Sequence, residues 1–407
     1  MVKINRRAFA AGSAAFTLAA PSIGYAQKKY DPGVTDKEIK LGHTNPYSGP
    51  LSAYGTIGKA ITAYWNMVND AGGVNGRKIT FITYDDGFQP PKTVEMVRKL
   101  VEDDQVYAIY QLLGTPTNTV VQKYLNQKKV PQLFVATGAS KWGKPTEFPW
   151  TMGWQPDYAT EGAIYAKHAL ATNKDARIGI LWQNDDSGKD YVGGFMAGLG
   201  QENQKQVVSS VSYEVTDPTV DSQIIQIKSS GADVVFIETA PKAASQAIRK
   251  IADLNWKPVR YLANVSASVA AVLKPAGYDN STGVISAQYL KDATDPQWVN
   301  DTDFKEWQAW MKKYQPDANP ADLNNVYAYS VSATMRHVLT QCGDNLTRDN
   351  LMKQAAGMRQ FQAPLLLPGI KINTSATDFY PIQSVRLAKF DGEKWALFGD
   401  VLSNEST

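Results

Sequence analysis

The chain has 407 residues, 43% hydrophobic and 20% charged, with a formal net charge of +3. That composition excludes a disordered chain, and the length exceeds what one ordinary core needs, so two domains are expected. The near balance of charge gives no support for nucleic-acid binding, and Cys342, the only cysteine, leaves no intrachain disulfide possible.

Residues 1–26 read as an export signal of the twin-arginine type. Arg6-Arg7 is followed by the apolar stretch Ala10–Ala20, too short to cross a bilayer, and Gly24-Tyr25-Ala26 has small residues where a signal peptidase reads. Cleavage after Ala26 removes Lys3, Arg6 and Arg7 and no acid, which leaves the mature chain formally neutral. Beyond this segment no apolar run reaches the roughly 18 residues of a membrane-spanning helix, so a periplasmic protein that does not span the membrane is expected.

After a polar leader with Asp31-Pro32-Gly33, Ile39–Gly42 reads as a strand and Ile57, Ile61, Tyr64, Trp65 and Val68 as the buried face of a helix. Between them Gly49, Pro50, Ser52 and Gly55 form a loop, with Ser52 placed to cap the helix. Ser52 and Tyr54 are the side chains expected to face a ligand there. Strands follow at Lys78–Tyr84, Val106–Tyr110 and Val130–Val135, separated by helices beginning at Pro91 and spanning Thr117–Asn126. That alternation is the signature of a parallel sheet with helices on both faces.

Trp142–Asp157, with three prolines and three tryptophans, makes a poor helix and a good boundary. The rhythm then restarts: strands at Arg177–Trp182, Gln206–Tyr213, Asp233–Glu238 and Val259–Ala263 alternate with helices, the last over Ser266–Leu273. Gly283–Tyr289 is one more strand. Helices near Asp301–Tyr314, Leu323–Gln341 and Arg348–Ala356 are expected to return to the first unit, and Pro381–Phe398 to form a hairpin turned at Asp391-Gly392. The fold class is α/β, with two doubly wound parallel-sheet lobes and a hinge crossed more than once. The expected division is a signal at 1–26, a first lobe at 27–153 and 284–365, and a second at 154–283 and 366–407.

Catalytic patterns are missing. His43, His168 and His337 lie too far apart in sequence for a metal-ligand pair, and no G-x-S-x-G elbow occurs. GASKWGK (138–144) resembles a phosphate loop, but Pro145 stands where the magnesium-binding Ser or Thr belongs. No catalytic residue, metal or cofactor is therefore expected, and no enzyme. The carboxyl ends of the strands instead carry glycines, hydroxyls and aromatics. Gly114 and Thr115 follow the third strand; Ala136, Thr137 and Gly138 follow the fourth; Trp154 and Tyr158 stand at the boundary; Ser187, Glu238 and Thr239 close strands of the second unit. Ligands in α/β folds bind at such strand ends, and these groups supply N–H donors with apolar walls.

SGPLSAYG (48–55), NDAGGVNGRKI (69–79) and the P-x-x-x-x-A-T-G stretch from Pro131 resemble the periplasmic substrate-binding proteins of ABC importers, in the leucine/isoleucine/valine-binding group with the type I two-lobe fold. The resemblance covers nearly all of the mature chain. It implies a monomer that closes on a small molecule and presents it to a membrane permease. It implies a ligand carboxylate at Thr115 and the Ala136–Gly138 loop, Tyr54 on the apolar part of the ligand, Ser187 and Glu238-Thr239 closing from the second lobe, and Tyr289 finishing the lining. Amino-acid binders of this family place an acid after the strand that ends here at Ala263, but Asn264 and its neighbours carry none, and the family's disulfide is missing. FPWTMGWQPDY (148–158) and YLKDATDPQW (289–298) are most similar to a branch taking aromatic or other hydrophobic carboxylates. A small carboxylate such as a benzoate or phenylpropenoid acid is the expected ligand. An amino acid, a sensory ligand-binding domain of the same fold and a secreted hydrolase are the alternatives.

Overall fold

The β/α alternation of the sequence resolves into two large sheets with the same winding, beside a small parallel pair formed by the short strands Lys29–Tyr30 and Asn345–Leu346. The structure, a computed structural model, describes Met1 and residues 28–403; the twin-arginine pair and the cleavage site at Ala26 lie outside the described residues. The strands are β1 (Lys29–Tyr30), β2 (Glu38–Asn45), β3 (Lys78–Asp85), β4 (Ala108–Tyr110), β5 (Gln132–Leu133), β6 (Ile178–Gln183), β7 (Val207–Tyr213), β8 (Val234–Glu238), β9 (Val259–Leu262), β10 (Ile285–Gln288), β11 (Asn345–Leu346), β12 (Ser384–Phe390) and β13 (Trp395–Ser403). Between them lie α1 (Gly55–Asp70), α2 (Pro90–Arg98), α3 (Thr115–Gln127), α4 (Tyr158–Thr172), α5 (Asp186–Leu199), α6 (Asp221–Ser229) and α7 (Pro241–Asp253).

The first sheet runs β3-β2-β4-β5 and is parallel throughout. The second runs β13-β12-β10-β9-β8-β6-β7, parallel from β7 to β10, with β12 and β13 added antiparallel at one edge. In each sheet the first parallel strand, β2 or β6, has its two successors on opposite sides. The connections leave in opposite directions there and open a crevice at the strand's carboxyl end, where α/β proteins bind ligands. The expected hairpin is β12–β13, with Gly392 in the left-handed region (φ 109°) that its tight turn requires.

The periodic face of α1 is buried as its spacing predicts: Ile57, Ile61, Tyr64, Trp65 and Val68 are all shielded from solvent. Burying each aliphatic side chain contributes roughly 1.5–3 kcal/mol. The late helices Thr302–Tyr314 and Leu323–Cys342 pack against this first unit, with Tyr329 edge-on to Tyr64 at 5.2 Å and near Trp310 at 5.1 Å.

Three expectations need correction. Ser52 does not cap α1: it opens a 3-10 turn, Ser52–Tyr54, makes no side-chain cap bond and is exposed. Ser266–Leu273 is not a regular helix. A 3-10 turn (Asn264–Ser266) is followed by a wide π turn (Val269–Leu273) immediately before Lys274-Pro275, where the proline has no N–H to continue a helical ladder. The strand Ile285–Gln288, assigned to the first lobe by the 283/284 boundary, pairs with β9 and β12 in the second sheet. The crossing back to the first unit therefore falls after Gln288.

Candidate functional site

The two crevices face one another and share a cavity of about 90 Å³. A water needs roughly 10–15 Å³ by the same measure, so the space suits a small organic molecule. Its walls come from segments just beyond β2 (Leu51, Tyr54, Ile57), β3 (Phe88), β4 (Leu113, Gly114, Thr115), β5 (Ala136), β6 (Gln183, Ser187), β8 (Glu238, Thr239, Ala240), β9 (Asn264, Val265, Ser268) and β10 (Tyr289, Leu290). Gln155 and Tyr158 at the boundary, with Leu323, Asn324 and Tyr327 from the helix Leu323–Cys342, complete them.

Of the residues expected at a site, Tyr54, Gly114, Thr115, Ala136, Tyr158, Ser187, Glu238, Thr239, Asn264 and Tyr289 line this one cavity. Ser52, Thr137, Gly138 and Trp154 do not. Ser52 points to solvent in its 3-10 turn. Trp154 is fully buried one layer back, with its indole N–H donating to Thr334 Oγ1 at 3.1 Å; its ring stands edge-on to the lining Tyr327 and near the lining Tyr289. Gly138 is crossed by the chain: its carbonyl accepts from Tyr158 N–H, and a Cβ there would lie 2.4 Å from Pro156 O. Thr137 sits behind Thr115, with the two hydroxyls 2.6 Å apart.

Either hydroxyl of that pair can donate to the other; Thr137 Oγ1 also accepts from Ala139 N–H (3.3 Å) and Trp142 Nε1–H (3.4 Å). When Thr137 donates, Thr115 has its proton for the cavity. It is also the first residue of α3, whose opening turn has unpaired backbone N–H groups and the positive end of the helix dipole. Gly114 precedes it with φ 96°, and a Cβ there would come within 2.2 Å of the Phe88 ring. Only glycine lets the backbone turn into α3 while Phe88 covers it. Phe88 itself has φ 60°, a costly backbone conformation for an aromatic residue, held where its ring forms a cavity wall.

A polar string crosses the boundary wall: Tyr327 Oη donates to Gln155 Oε1 (3.1 Å), whose Nε2 lies 3.4 Å from Tyr158 Oη. Asn264 is held by its N–H, which donates to Glu161 Oε1 at 2.7 Å; Glu161 also accepts from Tyr165 and Tyr191. Burial pushes the Glu161 carboxyl up to about 7 despite those donors. Thr239 Oγ1 is buried without a hydrogen-bond partner.

Among the described residues Glu238 is the only carboxylic acid on the wall, and no lysine, arginine or histidine lines the cavity. Its Oε2 accepts from Gln183 N–H at 2.8 Å. Burial, reinforced by the nearby Asp185 and Glu161, pushes it up to about 8 against that one bond. Gln183 is held in turn: its Nε2 donates to Asp185 Oδ2, which lies at the cap of α5, and its Oε1 accepts from Tyr213.

The two units touch across the cleft. Tyr54 Oη donates to Val265 O (3.1 Å), Ser268 Oγ to Asp322 Oδ1 (2.9 Å) and Ala270 N to Ala321 O (3.2 Å). On another side Ser140 Oγ donates to Asp190 Oδ1 (2.8 Å), and Lys141 pairs with Asp186 at 3.0 Å. Contacts between segments belonging to different sheets thus bridge the cleft beside the cavity. Among the described residues no cluster of His, Cys, Asp and Glu could hold a metal ion, and no helix is long and apolar enough to cross a membrane.

Two α/β units closing over one small cavity is the geometry of a solute trap, and residues 38–394 match the periplasmic binding protein family. The chain belongs to that family. Among its relatives, Leu/Ile/Val-binding protein homolog 3 of Brucella melitensis is 24% identical over 53% of this chain, a match spanning only 57% of the relative's own length. Homolog 1 of Brucella suis is 24% identical over 76% of this chain and 80% of the relative. Solved structures share the type I periplasmic-binding fold. A branched-chain amino acid ABC transporter protein from Thermus thermophilus with bound valine superposes with a TM-score of 0.82 at 14% identity, covering 91% of this chain and 98% of that one. A solute-binding protein from R. palustris in complex with benzoate superposes at 0.76 and 19% identity, with the same coverages. This periplasmic binding protein therefore shares its fold with structures holding valine and benzoate.

Proposed function

We propose that this chain is the solute-binding component of an ABC importer, working in the periplasm, and that it captures a small hydrophobic carboxylate, an aromatic acid such as a benzoate or phenylpropenoid. The observation that carries this reading is the polarity of the cavity. One end offers the Thr115 hydroxyl and the opening turn of α3, both suited to an anion. Tyr54, Phe88, Tyr158, Tyr289 and Tyr327 also line the cavity and suit a flat apolar body. Asn264 occupies the loop where amino-acid binders of the family carry an acid, so the usual partner for a ligand ammonium is missing.

A thermal-shift screen tests it. A specific ligand raises the melting temperature by mass action, equivalent to about 2.7 kcal/mol at a hundredfold excess over its Kd. Benzoate or a phenylpropenoid acid is expected to raise the melting temperature of the mature chain, with leucine and valine inert. The reverse result would replace the reading with its alternative, an amino-acid-binding protein. One feature favours that alternative: Glu238 lines the cavity and could face an ammonium from β8 instead of from the loop after β9.

A further inference from the structure

If a carboxylate is captured here, as proposed above, it shares the cavity with Glu238, itself a buried side chain, and among the described residues no cationic side chain lines that cavity. A second carboxylate brought beside a buried one without a counter-charge favours the state in which one of the two holds a proton. The ligand carboxylate meets donors at Thr115 and the start of α3, which favour its charged form. Glu238 meets one N–H, from Gln183. We propose that Glu238 is the charge-selecting residue of the cavity: it holds a proton while an acid is bound, so that capture of an acid is proton-linked.

Apart from the Gln183 N–H, which favours the charged form, the charged groups facing Glu238 act in the same direction. From the turn after β6, Asp185 adds negative charge, and from α4 so does Glu161. The remaining titratable neighbours are the tyrosines Tyr54, Tyr158, Tyr191 and Tyr213, each held neutral by burial. No cation opposes them. Burial raises Glu238 to about 8, so near neutral pH the empty cavity already holds the protonated form and accepts a monoanion at no cost. Above that pH, binding must draw one proton from solvent for each anion captured. The ionised form would instead suit a ligand carrying an ammonium, so the protonation state of this one residue separates simple acids from zwitterions.

The test is calorimetric titration of benzoate into the mature chain from pH 6.5 to 9.5, in buffers of differing ionisation heat, with E238Q alongside. The wild-type affinity is expected to be level near neutrality and to fall about tenfold per pH unit above pH 8, with proton uptake approaching one per benzoate. In E238Q the affinity should stay level and the uptake vanish. The proton count in the wild type needs no variant, so a misfolded E238Q leaves the test intact. Benzoate binding without proton uptake overturns the inference and spares the carboxylate reading, as does a pH slope that survives in E238Q. A slope centred near pH 7 in both proteins would assign the linkage to Glu161 instead. Binding of leucine but not benzoate, lost in E238Q, overturns both, and so does failure of every acid and amino acid to bind.

Discussion

Tyr54 Oη donates to the carbonyl of Val265 at 3.1 Å, and the two residues belong to different sheets: Tyr54 leads into the helix after β2, and Val265 follows β9. The same Tyr54 ring lines the cavity. One side chain thus offers a face to the cavity and ties the two units together. In Tyr54→Phe the ring remains and the bond is lost. The closed form should lose about 0.5–1.5 kcal/mol, the net value of one neutral hydrogen bond. Stopped-flow dissociation should show ligand release faster by about 2- to 10-fold, with little change in association. An unchanged release rate would mean that this bond does not hold the closed state.

Thr115 and Thr137 make a graded pair. Thr115→Ala removes the hydroxyl proposed to donate to the ligand and should weaken a carboxylate by roughly 1–3 kcal/mol, the range for a hydrogen bond to a charged group. Thr137→Val keeps the shape and removes the hydroxyl that shares a hydrogen bond with Thr115. It should cost less than Thr115→Ala, because Thr115 can still donate after reorienting. Isothermal titration of both variants checks the order. Equal affinities for wild type and Thr115→Ala would take Thr115 out of the site.

Glu238 also gives the ligand-free protein a pH dependence. Its pKa rises from 4.5 in the unfolded chain to about 8 in the folded one, so the folded form binds the proton more tightly. The stability this confers is complete below pH 4.5 and is lost progressively as the pH rises towards 8. Each pH unit of that window is worth on the order of 1 kcal/mol. Denaturation of the wild type and E238Q across pH 5 to 8 should therefore show the wild type losing more stability than the variant. Parallel curves would show Glu238 ionised without penalty, in contact with water.

Much of this was legible in the sequence because one rule recurs. Gly114, Thr115, Ala136, Ser187, Thr239 and Tyr289 all follow parallel strands and Glu238 ends one, and the sheet winding brings those ends to one crevice. Phe88 obeys the same rule after β3 and was hidden by its setting: Asp85-Asp86-Gly87 reads as a polar turn, and nothing local announces an aromatic residue at φ 60°. Tyr327 was hidden differently. The helix Leu323–Cys342 is buried on nearly every side, so its periodicity marks no single face as the one towards the cleft. Trp154 and Thr137 were placed in the right region but one layer too far forward, since sequence position does not separate a wall from its support. Ser52 was misplaced by a capping rule that the 3-10 turn before α1 makes unnecessary.

The position of a bound acid tests the central claim most directly. Electron density should be collected for the mature protein crystallised with the acid that raises its melting temperature most. The account predicts a carboxylate within hydrogen-bonding distance of Thr115 Oγ1 and the first N–H groups of α3, with the apolar body among Tyr54, Phe88 and Tyr158 and the far end towards Glu238. A ligand turned end for end, with its carboxylate against Glu238, or one bound outside the cavity between the two sheets, would contradict it.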